Sequence, residues 1–340
     1  MLKTILGTAL ALTATLTSQT ALASSACTYT NLYQEMQQAD PSSYAKIKAQ
    51  ADATVNGEGI FWRVSHEDDA HVSYIFGTMH KSDPRITTLA KNVETALLSS
   101  KTYAGELDWE TTAYEMGLIM GKNPEMMFQQ NGEKLSDQLD PHTVEVVDQL
   151  LNQRGSDFDQ IDPMQPWLSA SLLANSLCDI ENGVSEFSFL DRVLEIKARE
   201  ADLKVVGLET VEQQFRAINA IDETFFLKSL EDAAIQHEQG IFDDVLQTAS
   251  ELYVSEEIGA MLPLMMHYSH TLKDGEADLL SFQRELLDIR NEGMVEKAVA
   301  LHEEGPSFIA VGALHLIGET GLVEGFRNAG YAVERVELQR

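Results

Sequence analysis

The run Val72-Ser73-Tyr74-Ile75-Phe76-Gly77-Thr78-Met79-His80 is a short, largely apolar segment that ends in Gly-x-x-His. Near the other end of the chain Phe308-Ile309-Ala310-Val311-Gly312-Ala313-Leu314-His315 repeats the pattern. Short apolar runs of this kind read as strands buried on both faces. Two further runs end in a glycine and a glutamate, Tyr103-Ala104-Gly105-Glu106 and Lys204-Val205-Val206-Gly207-Leu208-Glu209. Four strand ends thus deliver two imidazoles and two carboxylates to equivalent places. The tetrad alone is a weak signal, and its strand context carries the reading.

Working outward, Ile60 to Val64 and Val72 to Phe76 read as a hairpin parted by the polar stretch His66 to Ala70. A helix is expected over Thr87 to Leu98, where Leu89, Val93, Ala96 and Leu97 recur at helical spacing, followed by a strand over Thr102 to Leu107. From about 111 to 200 the pattern is helical, with Val144, Val147, Leu150 and Leu151 on one face and Leu168, Leu172, Leu173 and Leu177 on another. A second helical stretch runs from about 210 to 297, and its Met261, Leu264, Met265 and Met266 read as core filler. The chain closes with a helix over Leu286 to Leu301 and strands over Phe308 to Val311 and Tyr331 to Val336. This order predicts an α/β fold: a mixed, partly parallel central sheet with helices packed around it and two large helical insertions, in a single domain over 24–340. Ligands of such sheets sit beyond the carboxyl ends of the strands, where all four motifs fall.

The chain opens with Lys3, an apolar stretch from Ile5 to Leu16 and a small-residue exit at Ala21-Leu22-Ala23. That layout predicts a secretory leader over 1–23, cleaved after Ala23, and a periplasmic or secreted product. No other window approaches the length of apolar sequence a membrane span needs, so no integral membrane segment is expected in the mature chain. Cys27 and Cys178 are the two cysteines, and in an oxidising compartment they are expected to pair with each other; lipidation of Cys27 is the lesser alternative. The formal charge is −30, from 24 Lys and Arg against 54 Asp and Glu. Such a balance argues against a nucleic-acid partner, because polyanion binding needs clustered cations.

His80 and His315 are candidate metal ligands, and Glu106 completes a set of two imidazoles and a carboxylate that suits Mn, Co, Fe or Zn and leaves positions open for water and substrate. At such a site Glu106 or Glu209 could carry a proton, and Arg290 could stabilise a developing oxyanion or clamp a carboxylate. Glu209 has a competing reading as the cap of a helix that begins near Thr210. Asp108, two residues after Glu106, could assist the ion or orient a histidine. Ser82 and Asp83 follow His80, yet no Gly-x-Ser-x-Gly turn is present, which argues against serine hydrolase chemistry. His267 and His270 sit at helical spacing without the carboxylate of a zincin helix and read as ordinary polar residues.

The segments Tyr74-Ile75-Phe76-Gly77-Thr78-Met79-His80, Gly105-Glu106-Leu107-Asp108, Gly207-Leu208-Glu209-Thr210 with Glu212-Gln213, Arg290-Asn291 and Val311-Gly312-Ala313-Leu314-His315-Leu316 resemble the TraB/GumN family. That family includes the Tiki proteins and is distantly similar to erythromycin esterases (EreA) and ChaN-like proteins. The resemblance covers nearly the whole chain after the leader. It implies a divalent-metal-dependent, peptidase-like hydrolase acting on a peptide or small carbonyl substrate, with Mn, Co or Zn held by His80 and His315, and Glu106 as third ligand or as the base that activates water. The rival expectations are a non-catalytic binder of haem, iron or a signalling peptide, and an esterase. Oligomeric state is left open.

Overall fold

The computed structural model describes residues 27–340 apart from 69, 182, 184–188 and 273–275; the expected leader over 1–23 lies outside the described residues. Six strands, β1 Phe61–Ser65, β2 Ser73–Thr78, β3 Thr102–Gly105, β4 Lys204–Gly207, β5 Ser307–Gly312 and β6 Ala332–Arg335, form one sheet in the order β4-β3-β5-β2-β1-β6. β4, β3, β5 and β2 run parallel. β1 pairs antiparallel with β2, as the expected hairpin requires, and antiparallel with β6 on its other side.

The central strands are apolar through their middles, with polar residues such as Ser73, Thr78, Thr102 and Ser307 at their ends, because helices cover both faces. On β5, Phe308 and Ala310 enter one core with Phe76, Tyr103, Val93, Leu97, Leu190 and Leu194. Ile309 and Val311 enter the other with Ile75, Ala104, Met294, Ala298, Val323 and Phe326. The period of two along each strand therefore splits its residues between two dry layers. Helices Lys91–Ser99 and Leu190–Glu200 carry the first layer, and Ile289–Glu304 and Leu322–Asn328 the second.

The stretches between β3 and β4 and between β4 and β5 are helical, and they pack on each other through Leu135, Val147, Leu150 and Leu151 on one side and Leu230 and Ala233 on the other. Three sequence expectations need correction. The helix expected over Thr87 to Leu98 is split, with a single turn at Pro84–Thr87 capped by Asp83 and the main helix starting at Lys91. The face of Leu168, Leu172, Leu173 and Leu177 does not form, since the helix Pro166–Leu172 ends early, Leu173 is buried and Leu172 is 41% exposed. The methionine cluster is only partly core: Leu264 is buried, but Met265 is 36% exposed and Met266 lines an open groove of about 720 Å3.

Cys27 and Cys178 form the expected disulfide, with Cα atoms 5.6 Å apart, across 151 positions of sequence. It ties the start of the described chain to the short helix Leu177–Glu181.

The glycines at the strand ends work through close approach rather than through a turn, since none of Gly77, Gly105, Gly207 and Gly312 has a positive φ. A Cβ on Gly77 would stand 2.8 Å from Leu316 Cδ1 and 3.0 Å from Ala313 Cα. The first tetrad is thus pressed directly against the second. Gly77→Ala is expected to cost about 1–3 kcal/mol through overpacking. Urea unfolding checks it, and an unchanged midpoint would show that the two tetrads do not bear on each other.

Candidate functional site

The four motifs meet at the carboxyl ends of the parallel strands. Gly105 pairs with Gly207 in the register of β3 and β4. The ladder continues one step beyond the strands, with Leu208 N–H donating to Gly105 O at 2.8 Å and Glu209 N–H to Glu106 O at 2.8 Å. That extension sets Glu106 and Glu209 side by side. Each is followed at once by a helix, Trp109–Lys122 capped by Asp108 and Val211–Ala220 opened by a Thr210/Gln213 capping box.

Arg290 bridges the two carboxylates. Its Nη2 donates to Glu106 Oε2 at 2.7 Å and to Glu209 Oε2 at 2.6 Å, its Nε to Glu209 at 3.0 Å, and its Nη1 to Leu286 O at 3.0 Å. All three side chains are nearly sealed, at 9% exposure for Arg290, 10% for Glu106 and 8% for Glu209. Gln214 adds a second donor, 3.1 Å from Glu106 Oε2 and 3.4 Å from Glu209 Oε2. A π-helical turn, Arg284–Asp288, directly precedes the helix that carries Arg290 and Asn291. Such widened turns recur at functional sites, where they rotate the side chains that follow.

The remaining oxygen of Glu106, Oε1, accepts the Gly312 N–H at 2.7 Å and stands 3.9 Å from His315 Nε2. A Cβ at Gly312 would lie 3.1 Å from that oxygen, so the glycine makes room for the carboxylate. Burial works to raise the Glu106 pKa, but His315, Arg290, His80 and the Gly312 amide outweigh it and hold the group down at about 2. Glu106 is therefore an anion at neutral pH.

His315 lies on the single turn after β5 and is 4% exposed. Its Nδ1 is 2.7 Å from Asn291 Oδ1, so Nδ1 carries the proton and donates it, which leaves the Nε2 lone pair turned toward Glu106. Burial pushes its pKa down to about 4, against the pull of Glu106, so the ring is neutral. His80 is arranged likewise at the end of β2. Its Nδ1 donates to Asp191 Oδ2 at 2.8 Å, while Thr78 Oγ1 donates to Asp191 Oδ1 at 2.7 Å. The Asp191 carboxylate is the main cause that raises the His80 pKa, to about 9. The imidazole is 62% exposed, so water screens this pairing, whereas Asp191 itself is only 7% exposed.

A small cavity of about 50 Å3 opens between His80, Tyr103, Glu106, Trp109, Asp191 and Gln214. Burial first, then Asp191, Glu195 and Glu106, raise the Tyr103 phenol well above its usual value, so it stays a neutral donor. Phe189 stands edge-on to His80 at 5.8 Å and to Trp109 at 5.1 Å, giving the exposed imidazole an aromatic flank.

The donor set fits a divalent cation in kind: two imidazoles whose Nδ1 atoms are each fixed by an oxygen acceptor, and one carboxylate. Its charge fits too. Glu106, Glu209 and Asp191 are three carboxylates against one guanidinium, Arg290; His80, with its pKa raised to about 9, carries a proton that an incoming cation displaces, and with both imidazoles then neutral the balance is two negative charges. In spacing the set is open, for among the described residues no three His, Cys, Asp or Glu side chains converge tightly enough to hold an ion.

Asp108 is not part of this arrangement. Its carboxylate accepts the Glu110 N–H and pairs with Arg199 at 2.6 Å, so it is a helix cap that faces away, because β3 ends at Gly105 and the strand spacing of two does not extend to it. Asp83 likewise caps its own helix and binds Arg85. His270 lies at the surface with Gln239. Thr210, not Glu209, caps the following helix. Asp191, Asn291 and Gln214 are the functional neighbours that strand-end motifs do not disclose. A signal for Asp191 did exist: it and Glu195 are acidic residues set beside the buried stripe Leu190, Leu194 and Ala198, and both are buried.

Among the described residues no helix is long and apolar enough to cross a membrane. The chain is similar to the metalloprotease TIKI2 of Xenopus tropicalis, 25% identical over 80% of this chain and 59% of the relative. It is similar as well to the metalloprotease TIKI1 of Danio rerio, 26% identical over 48% of this chain and 37% of the relative, and to the metalloprotease TIKI2 of Danio rerio, 25% identical over 57% and 40%. It thus spans between about two fifths and three fifths of the length of these curated relatives. No solved structure matches it at a significant level. The family model of the TraB/PrgY/gumN family matches residues 60–335, a span that holds both tetrads, both glutamates and Arg290, and the chain belongs to that family.

Proposed function

We propose that the protein is an exported, divalent-metal-dependent hydrolase of peptidase type, in which His80, His315 and Glu106 hold a Mn, Co or Zn ion. One observation carries the reading: each imidazole has its Nδ1 secured, by Asp191 or by Asn291, so that Nε2 is the nitrogen left to bind, in His80 once the cation has displaced its proton. Histidines that ligate metals are oriented in this way. The similar metalloproteases TIKI1 and TIKI2 point in the same direction. Export is supported by the disulfide, which persists outside a reducing cytosol.

A bound ion of this class polarises a substrate carbonyl and lowers the pKa of water. The chain's own residues do the rest. Glu106 is kept charged and immobile by Gly312, Arg290 and Gln214. With its pKa held at about 2 Glu106 suits a ligand better than a base, and Glu209, which shares Arg290 and Gln214 with it, is the second carboxylate beside the site that is available for proton transfer. In this geometry Arg290 contributes by fixing both carboxylates. His80, exposed and flanked by Phe189, marks the side from which a peptide approaches. The cavity of about 50 Å3 has room for water, and encloses far less than the roughly 300 Å3 or more of an ordinary organic ligand pocket, which favours hydrolysis over capture of a haem.

The test is metal analysis of the purified chain. Roughly one transition-metal ion per chain is expected, falling by at least tenfold in His80→Ala/His315→Ala. Cleavage of a peptide library should fall in parallel, and in Glu106→Ala. Metal content unchanged in the double variant would place the ion elsewhere and end this assignment.

A further inference from the structure

His80 belongs to the segment between β2 and the turn at Pro84–Thr87, which lies outside regular structure. Its ring is 62% exposed and hydrogen-bonded to Asp191. The residue after it is its opposite. Lys81 is 7% exposed, and its ammonium donates to Asp179 Oδ2 at 2.6 Å and to Ala174 O at 2.8 Å. Asp179 is 1% exposed, and the same oxygen accepts the Ser176 N–H and hydroxyl, each at 2.9 Å. Gln247 Nε2 donates to Ser176 Oγ at 2.6 Å, which extends the network into the helix Phe242–Val254. The other oxygen, Asp179 Oδ1, has no hydrogen-bond partner among the described residues.

A sealed ion pair is a poor source of stability. Desolvation offsets the attraction, and apolar residues of similar volume serve as well or better. An orphaned carboxylate oxygen makes the arrangement costlier still. What the pair supplies is direction, because an ammonium held between two acceptors cannot shift without stripping a buried carboxylate. Its anchor is firm. Asp179 sits on the helix Leu177–Glu181, directly after Cys178, which is bonded to Cys27, and Leu177 N–H donates to Asp243 Oδ1 at 2.7 Å.

We propose that Lys81 and Asp179 are positioning residues for His80. They fasten the main chain one residue beyond it to a disulfide-anchored helix, so that the imidazole is presented where Asp191 can hold Nδ1 and leave Nε2 outward. This rests on His80 being a site residue, and the role toward a metal rests on the function proposed above.

Two readouts test it. In metal-free protein labelled with 15N-histidine, the His80 Nδ1–H bonded to Asp191 should give a downfield resonance, assigned by its loss in Asp191→Asn. Lys81→Met should broaden or abolish it, while Lys81→Arg, which keeps the charge and donors, should retain it. Titration with Co2+ alone should show affinity about tenfold weaker in Lys81→Met and close to wild type in Lys81→Arg. Should Lys81→Met fail to fold, Lys81→Met/Asp179→Leu removes both charges and serves in its place. An unshifted resonance in either folded variant overturns the proposal. A resonance that responds to Lys81→Met in a protein that binds no Co2+ upholds the positioning role and removes the metal reading instead.

Discussion

Arg290→Met is expected to cost the folded state about 3–5 kcal/mol, because it leaves two sealed carboxylates, Glu106 and Glu209, facing each other without their shared cation. Methionine fills much of the space, so the loss is electrostatic rather than a cavity effect. Its pH dependence identifies it. In the intact protein Glu106 titrates at about 2, below its ordinary value of 4.5. A depressed pKa contributes stability that is present above 4.5 and is lost as pH falls toward 2. Without Arg290 one of the charges that hold Glu106 down is gone, while His315, His80 and the Gly312 amide remain, so its pKa rises from about 2 and the depression shrinks. The gap between wild type and variant should therefore be widest near pH 7 and narrow as pH falls through 4.5 toward 2. Urea unfolding in the presence of EDTA, at a series of pH values, measures this without interference from metal. Activity should fall about 100-fold, since Glu106 loses the tether that fixes it beside His315. Arg290→Lys should lose less stability but most of the activity, because an ammonium cannot reproduce the fork that spans both acids. A gap that is small and flat with pH would show that the guanidinium does not govern these carboxylates.

The parts of this architecture that were legible in sequence are those set by the chain locally. Ser73–Thr78 and Ser307–Gly312 announce themselves because strands covered on both faces must be apolar at successive positions. His80, Glu106, Glu209 and His315 were legible as a group because each follows such a strand, and parallel register alone then gathers them. The residues that orient them were not assigned that role, although Asn291 stands in the Arg290-Asn291 segment of the family resemblance and Asp191 lies beside a buried helical stripe. Asp191, Asn291 and Gln214 come from helices, and whether a helical polar residue faces the site or water depends on the rotation of the helix, which tertiary packing decides. Asp108 failed for the converse reason. It shares the sequence neighbourhood of Glu106, but the strand stops at Gly105 and the next residues turn to cap a helix. The pair Lys81 and Asp179 had no sequence signal at all, since 98 positions separate them and each looks like an ordinary surface charge.

Loss of the disulfide, in Cys27→Ser/Cys178→Ser, is expected to lower stability by about 5 kcal/mol. The bond closes a loop of 151 positions, and the chain-entropy account gives its largest values for loops of this length. For a protein of this size that corresponds to a fall in Tm on the order of 5–10 °C. The double substitution leaves no lone thiol, so the comparison is free of exchange chemistry. Function should be hurt at temperatures where the variant is still folded, because Cys178 precedes Asp179 and Asp179 holds the residue beside His80. Freed from Cys27, the helix Leu177–Glu181 keeps its hydrogen bond from Leu177 N–H to Asp243 but loses its covalent stop, and the Lys81 anchor moves with it. Metal affinity should then drop by about the same factor as in Lys81→Met, and combining Cys27→Ser/Cys178→Ser with Lys81→Met should add little to either alone. Two substitutions that act through one mechanical link cannot each remove it twice. Full additivity of their effects on affinity would mean that disulfide and ion pair act separately, and that the path from Cys27 to His80 does not run through Asp179.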